Sequence, residues 1–235
     1  MNLDVLAIGA HPDDIEIFAG GTLARIVRIG GRIGLLHLSR GEAGTRGTPQ
    51  IRLEEARAAA SVLGADFVRV LEIPDGQIQD IPPHHEPIVH AIRETRPKLL
   101  LAPWIEDDHP DHAATGQLAK ACWYLSGIRN AHPGEHPPHR PDQLWFYPSH
   151  EPLDATCLVP LEQSDVDRKI ASIQAYRSQF DPNYPGAPQT RISTPEFHES
   201  LVARLRTYGA QIQTTFAEAF RGMHPHRISD PRLSL

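Results

Sequence analysis

The sequence predicts an α/β fold: a Rossmann-like, mostly parallel sheet flanked by helices, with the active site at the C-terminal edge of the strands. Three observations carry this. Short, unbroken apolar runs at 4–10 and 98–104 have the form of strands buried on both faces, because a parallel sheet covered by helices leaves no polar alternation. Between such runs lie stretches of about ten to fifteen residues with helical spacing, and strand–helix alternation implies right-handed parallel crossovers. The chain has 235 residues, enough for a full core, and is read as one domain over 1–235.

Taken in order, the run 4–10 is a strand that ends at a turn. Residues 22–29 carry apolar side chains at helical spacing and stop at Gly30-Gly31, a C-terminal signal. Residues 32–39 repeat the strand pattern, and 40–49 form a loop. Thr48-Pro49 then supplies an N-cap and a first helical residue for an Ala-rich helix to about Leu63. A strand is expected at 67–71, a helix after Pro82-Pro83 to about Glu94, the fourth strand at 98–104, and a helix from about Asp111 to Ser126. The stretch 130–141, rich in Pro and His, reads as loop. Strands follow at 144–147 and 156–161, a helix at 164–179, irregular chain at 180–188, a helix at about 195–208 and a short strand at 216–220.

The formal net charge of −6 offers no basic stripe of the kind that nucleic acid or an anionic membrane requires, so neither is expected as a partner. No apolar stretch approaches the roughly 20 residues of a membrane span, and the N-terminus lacks the basic region of a signal peptide. The expectation is a soluble, cytoplasmic protein. Cys122 and Cys157 have no C-x-x-C spacing and no secretory context for a bridge, and Cys122 suits a helix core. The 14 histidines are unevenly placed, and many fall in the Pro-rich stretch 132–150 or near the C-terminus, where a solvated residue is the default.

Two clusters do not suit packing. His11-Pro12-Asp13-Asp14 follows the first apolar run, and Glu106-Asp107-Asp108-His109-Pro110-Asp111-His112 follows the fourth. Alone, the first also reads as an Asx-type turn and the second as an acidic cap at a helix N-terminus. In an open α/β sheet, however, ligands collect at the carboxyl ends of the strands, where both clusters would open together. A G-x-G-x-x-G fingerprint and a P-loop are both missing.

A catalytic zinc site takes three ligands from His and Asp/Glu and leaves one position for water, whose pKa the ion lowers to about 7. His11 and Asp14 supply two, and either His109 or His112 the third. Asp13 is then placed as general base. The histidine that does not ligate would, if protonated, stabilise an oxyanion, with Asp111 holding it in that state. These parts describe metal-assisted hydrolysis of an acyl bond. A two-metal phosphatase or nuclease would need further carboxylates at strand ends, and few are present. His and carboxylate ligands also suit Fe(II), Mn or Co.

His11-Pro-Asp-Asp14 with His109-Pro-Asp-His112 resembles the signature pair of the PIG-L/LmbE family of zinc-dependent N-acetylglucosaminide deacetylases. The loop from Gly41 to Thr48 followed by Arg52-Leu-Glu-Glu-Ala56 resembles the bacillithiol-biosynthesis branch, which removes acetate from N-acetylglucosaminyl malate. The resemblance implies zinc ligands His11, Asp14 and His112, base Asp13 and charge-stabilising imidazole His109. It also implies substrate binding by Arg52 and the loop around Arg46, with bidentate grip on malate carboxylates, and a hydroxyl from Tyr176 or Tyr184. Glu16 departs from the wider family, where the acid directly follows the paired aspartates. The substrate expected is a small sugar conjugate, most specifically N-acetylglucosaminyl malate, and relatives form homo-oligomers. Another N-acetylglucosamine conjugate (mycothiol-like or a chitooligosaccharide) and a non-catalytic sugar- or metal-binding role are the alternatives.

Overall fold

The computed structural model describes residues 1–150 and 153–224. Seven strands form one sheet in the order β3-β2-β1-β4-β5-β7-β6. They are β1 (Val5–Gly9), β2 (Ile33–His37), β3 (Phe67–Val70), β4 (Leu99–Pro103), β5 (Gln143–Tyr147), β6 (Cys157–Leu161) and β7 (Phe216–Gly222). The first five run parallel. β7 turns against β5 and pairs antiparallel with both β5 and β6, so the sheet is mostly parallel, as the alternation of elements implies.

The apolar runs are buried on both faces, which explains why they lack polar alternation. Leu6 and Ile8 of β1 join Leu36, Leu100 and Phe146 under α3 (Pro82–Thr95) and α4 (Pro110–Leu125). Val5 and Ala7 point the other way, onto Ile15, Ala19 and Leu23 of α1 (Asp14–Arg28) and Leu63 of α2 (Pro49–Leu63). α2 begins as its sequence demands, with Thr48 Oγ1 accepting from Ile51 N–H and Pro49 in the first turn.

α1 starts at Asp14, eight residues before the expected Thr22, because Gly20-Gly21 lies inside the helix. A Cβ on Gly21 would sit 2.5 Å from Leu161 Cδ1 and 2.9 Å from Glu218 Oε1. The glycine is there for close approach to β6 and β7, and does not break the helix. A buried ion pair secures this contact. Lys169 Nζ donates to Glu218 Oε1 at 2.8 Å and to Glu16 O at 3.1 Å, while Glu218 accepts from Gly21 and Thr22 N–H.

Lys169 belongs to α5 (Gln163–Gln174), which ends earlier than the expected 179. A separate turn, α6 (Arg177–Phe180), follows, and α7 (Pro195–Gln211) precedes β7. β1 and β4 are neighbours, with Val5 opposite Leu99 and Ala7 opposite Leu101. Their carboxyl ends therefore deliver the two acidic-His clusters to one edge. No described helix is long and apolar enough to cross a membrane.

Candidate active site

Immediately after β1 the chain turns so sharply that Asp13 adopts a left-handed backbone, with φ of 113°. For a residue with a Cβ this conformation is strained, and such strain persists only where the surroundings hold it. Asp13 is the N-cap of α1 yet makes no side-chain cap bond, so its carboxylate is not committed to the helix end. Arg52 of α2 holds the turn: its Nη2 donates to Pro12 O at 2.5 Å and lies 3.4 Å from Asp13 Oδ2, and its Nη1 donates to Gly41 O at 3.0 Å.

His11, Asp14 and His112 each present a ligand atom within 4.8 Å of the others, and all three are buried. His11 Nδ1 is 3.4 Å from Asp14 Oδ2, and His112 Nε2 is 3.2 Å from Asp14 Oδ1. Tetrahedral zinc with bonds near 2.0–2.1 Å sets its ligand atoms about 3.3 Å apart, so the donor set fits such an ion.

The outer hydrogen bonds fix which nitrogen of each ring faces inward. His11 Nε2 lies 3.1 Å from Asp75 Oδ1 and 3.3 Å from Asp111 Oδ2. Both are acceptors, so a neutral His11 keeps its proton on Nε2, and Nδ1, beside Asp14, is the nitrogen available to ligate. Ser149 donates its hydroxyl to Asp107 Oδ2 and therefore accepts from His112 Nδ1 at 3.1 Å. That leaves His112 Nε2, which also faces Asp14, as the nitrogen available to ligate. Carboxylates orienting ligating imidazoles in this way raise their basicity and fix their aim.

The electrostatics follow from this crowding of acids around imidazoles. Burial disfavours a charged His11, but the hydrogen bonds to Asp111, Asp14 and Asp75 outweigh it and raise the ring well above its usual value. His112 is pushed up to about 9, burial being outweighed by Asp14 and Asp107. Asp14, which burial alone would raise, is held well below the carboxylate range by His112 and His11. The cluster is thus a site that attracts a cation. Asp13 behaves differently: burial raises it to about 7, against the pull of the Arg52 guanidinium. A carboxylate poised near neutrality is matched to general-base work.

His109 is the half-buried N-cap of α4, and its Nδ1 accepts from Asp111 N–H at 3.2 Å. Its ring proton is therefore on Nε2. Burial, with the charges of His112 and His11 adding to it, lowers its pKa and so disfavours the cationic ring that the oxyanion role invokes. Asp111 does not hold it through its carboxylate. That group turns instead to His11 Nε2 and to Gly76 N–H, the latter at 2.7 Å.

The cluster opens into a cavity of about 430 Å³ whose lining includes His11, Asp13, Asp14, His109 and His112 together with Phe18, Arg191 and Arg204. Arg52 lines it too, but its guanidinium is committed to the Asp13 turn. Arg52 does not pair with Glu55 one turn on, because Glu55 accepts from Ser178 N–H and Oγ.

Two expected substrate contacts lie elsewhere. Arg46 is 2% exposed and donates to Ser178 O and Asp181 O, clamping the loop after α6. Tyr176 is fully buried, with its hydroxyl on Glu16 Oε1 at 3.0 Å behind α1. Neither lines the cavity. Tyr184 is also absent from its lining.

Sequence reasoning missed Asp75, Ser149, His37, Arg191 and Arg204, and gave no role to Asp107. Only Asp75 carried a local signal, in Pro74-Asp75-Gly76 just beyond the third strand. His37 bonds to His11 O through Nδ1 at 3.1 Å and so steadies the turn from beneath.

A family model described as PIG-L: GlcNAc-PI de-N-acetylase matches residues 6–123, a span that includes both acidic-His clusters. The chain is 30% identical over 191 residues to the diacetylchitobiose deacetylase of Thermococcus kodakarensis, covering 75% of this chain and 70% of that protein. It is 29% identical over 173 residues to the 1D-myo-inositol 2-acetamido-2-deoxy-alpha-D-glucopyranoside deacetylase of Geodermatophilus obscurus, covering 59% and 56%. Its fold is similar to the crystal structure of a conserved protein from Thermus thermophilus, at a TM-score of 0.86 and 38% identity over 96% of this chain and 97% of the other.

Proposed function

The chain belongs to the PIG-L deacetylase family, and from that premise we propose that it is a metal-dependent hydrolase that removes acetate from a soluble N-acetylglucosamine conjugate, working as one domain. The observation that carries the reading is the convergence of ligand atoms from His11, Asp14 and His112 beside Asp13 in the lining of a sugar-sized cavity. The relatives named for diacetylchitobiose and for an inositol glycoside of N-acetylglucosamine support the acetamide as the reacting group.

A divalent ion, zinc by family resemblance with Fe(II) as the main competitor, would be held by His11 Nδ1, an Asp14 oxygen and His112 Nε2. It would supply Lewis-acid polarisation of the acetamide carbonyl and acidify a water. The chain's own residues do the remainder. Asp13 takes the proton from the attacking water at its carboxylate. Arg52 keeps that carboxylate aimed and ionisable. His109 donates from Nε2 to the oxygen that gains charge in the tetrahedral state, an interaction strengthened where water is excluded. Asp13, now protonated, returns its proton to the departing amine, so water adds across the amide bond to give acetate and the free amino sugar.

For the substrate, N-acetylglucosaminyl malate of bacillithiol biosynthesis is the specific choice, supported by the 41–48 loop and by arginines in the cavity wall. Released acetate is the test, measured with metal-reconstituted protein on N-acetylglucosaminyl malate, N,N'-diacetylchitobiose, the inositol glycoside and free N-acetylglucosamine. Preference for the malate conjugate is expected. Turnover of diacetylchitobiose alone would overturn the malate assignment, and turnover of none would overturn the deacetylase reading. Metal analysis of protein purified without added metal identifies the ion.

A further inference from the structure

The lining of the cavity includes two arginines that have no carboxylate partner among the described residues. Arg191 opens the short 3-10 turn Arg191–Ser193 and is exposed. Arg204, on α7, is half-buried. Among the described residues neither forms an ion pair, unlike Arg52 in the same cavity. Arg204 has one long hydrogen bond, Nη1 to Ser149 O at 3.4 Å, and stacks its guanidinium 5.5 Å from the Phe18 ring centroid. Burial and the neighbouring charge of Arg191 both disfavour its cationic form, with only Tyr208 acting the other way.

Two like charges on a partly desolvated wall cost free energy unless an anion completes them. Two other basic side chains of the cavity are already engaged: Arg52 on Asp13, and His150 Nδ1 on Asp107 Oδ1 at 3.2 Å. Gln179, also in the wall, spends its amide on Arg46 O and Ser178 Oγ. Nothing described in the cavity therefore satisfies Arg191 and Arg204.

Their position gives the vacant charge a meaning. Phe18 lies edge-on to His112, ring centroids 6.3 Å apart, and carries Arg204 on its ring. Arg204 is thus one aromatic ring away from a candidate metal ligand. In an N-acetylglucosaminide the acetamide is on C2 and the aglycone on the adjacent C1, so the aglycone lies within one sugar width of the reacting group.

We infer that Arg191 and Arg204 form a subsite for an anionic group, carboxylate or phosphate, on the aglycone of the substrate, with Phe18 as the platform that fixes the Arg204 plane. The inference rests on the deacetylase reading for what occupies the cavity, but the anion site is testable without turnover. It moves the grip on the aglycone away from Arg46 and Arg52, which the fold employs elsewhere, to two residues on the last third of the chain. Arg204 supplies a rigid planar fork suited to bidentate contact, and exposed Arg191 adds charge at the mouth.

Two measurements test it on the full chain. In the first, kcat and KM are determined for N-acetylglucosaminyl malate, its neutral dimethyl ester and a phosphate-bearing glycoside with the native protein and the R191Q, R204Q and R204K variants. The ratio of kcat/KM for an anionic over the neutral substrate should fall tenfold or more in R204Q through KM, less in R191Q, and by an intermediate amount in R204K. Which anionic substrate shows the larger loss tells carboxylate from phosphate. Parallel loss on charged and neutral substrates would give the arginines a structural role and overturn the inference.

In the second, L-malate, inorganic phosphate and neutral glycerol are titrated calorimetrically against the metal-loaded native protein and the R191Q/R204Q double variant. An anion that binds the native protein and weakens tenfold or more in the double variant supports the subsite. Absence of anion binding, or equal binding by both proteins, overturns it, the latter placing the anion at the metal ligands. If the native protein hydrolyses no conjugate, the deacetylase reading fails and this titration alone decides the subsite. R191Q changes an exposed residue and so keeps the test valid should R204Q fold poorly.

Discussion

Arg52 Nη2 stands 3.4 Å from Asp13 Oδ2 while bonding to Pro12 O, the carbonyl that precedes that same aspartate. One guanidinium therefore fixes the strained turn and lowers the pKa of the proposed base. In R52A the carboxyl of Asp13 should rise above its present value of about 7. Because the base acts deprotonated, activity increases as pH rises through that pKa, so the acidic limb of the kcat/KM profile should move to higher pH. A tenfold or larger drop in kcat at pH 7 is expected, with a smaller change in KM. A variant that altered KM alone would mark Arg52 as a substrate contact only.

Base and ligand are separable by metal content. D13A should retain its ion and lose about 10²–10⁴-fold in turnover, the usual scale of a positioned base. H112A should lose the ion as well. Metal analysis beside an acetate assay reads both, and an empty site in D13A would contradict the division of roles.

Ser149 and Asp107 hold His112 by its outer nitrogen, and four hydrogen bonds keep Asp107 ionised well below the usual range despite its burial. D107N should weaken metal affinity by about 10–100-fold, the scale for loss of such an orienting partner. Competition with a chromophoric chelator measures this directly.

Glu16 is buried with Oε2 unpartnered, and burial raises its carboxyl to about 8 from an ordinary 4.5. A raised folded-state pKa means that stability is complete below about 4.5 and is lost as pH rises through 8. E16Q has no such loss. Its thermal midpoint relative to the native protein should therefore climb between pH 5 and pH 8.5, by several degrees at the upper end. A pH-independent difference would show that Glu16 does not titrate in this window.

Arg46, read from sequence as a substrate contact, satisfies two backbone carbonyls of the 178–181 segment. R46A should cost about 2–3 kcal/mol by leaving them buried and unpaired. Chemical denaturation measures the loss. An unchanged stability with a raised KM would restore the substrate role.

Much of the fold was legible because each buried parallel strand is written as a local apolar run and each helix as a local period. β1, β2, β4 and α2 need nothing outside their own residues to be recognised. The start of α1 was not legible, since Gly20-Gly21 is a helix breaker by itself and becomes a helix contact only when Leu161 and Glu218 press on it. The split of 164–179 into α5 and α6 was equally hidden, because the periodicity is continuous across Ala175.

By itself the sequence marked the two candidate metal-site motifs, because each is contiguous and follows an apolar strand run; the pairing of β1 with β4 then brings them to one edge. Only the tertiary structure decided which ring nitrogen of His11 and His112 faces inward, because Asp75, Asp107 and Ser149 arrive from other loops. It also decided which arginines are free. Arg46 and Arg52 look available in the sequence, yet folding spends their donors on carbonyls and on Asp13, while Arg191 and Arg204, unremarkable in their local patterns, reach the cavity with no counter-charge among the described residues. A side chain's charge is local information, but whether that charge is already satisfied depends on what the rest of the chain brings to it.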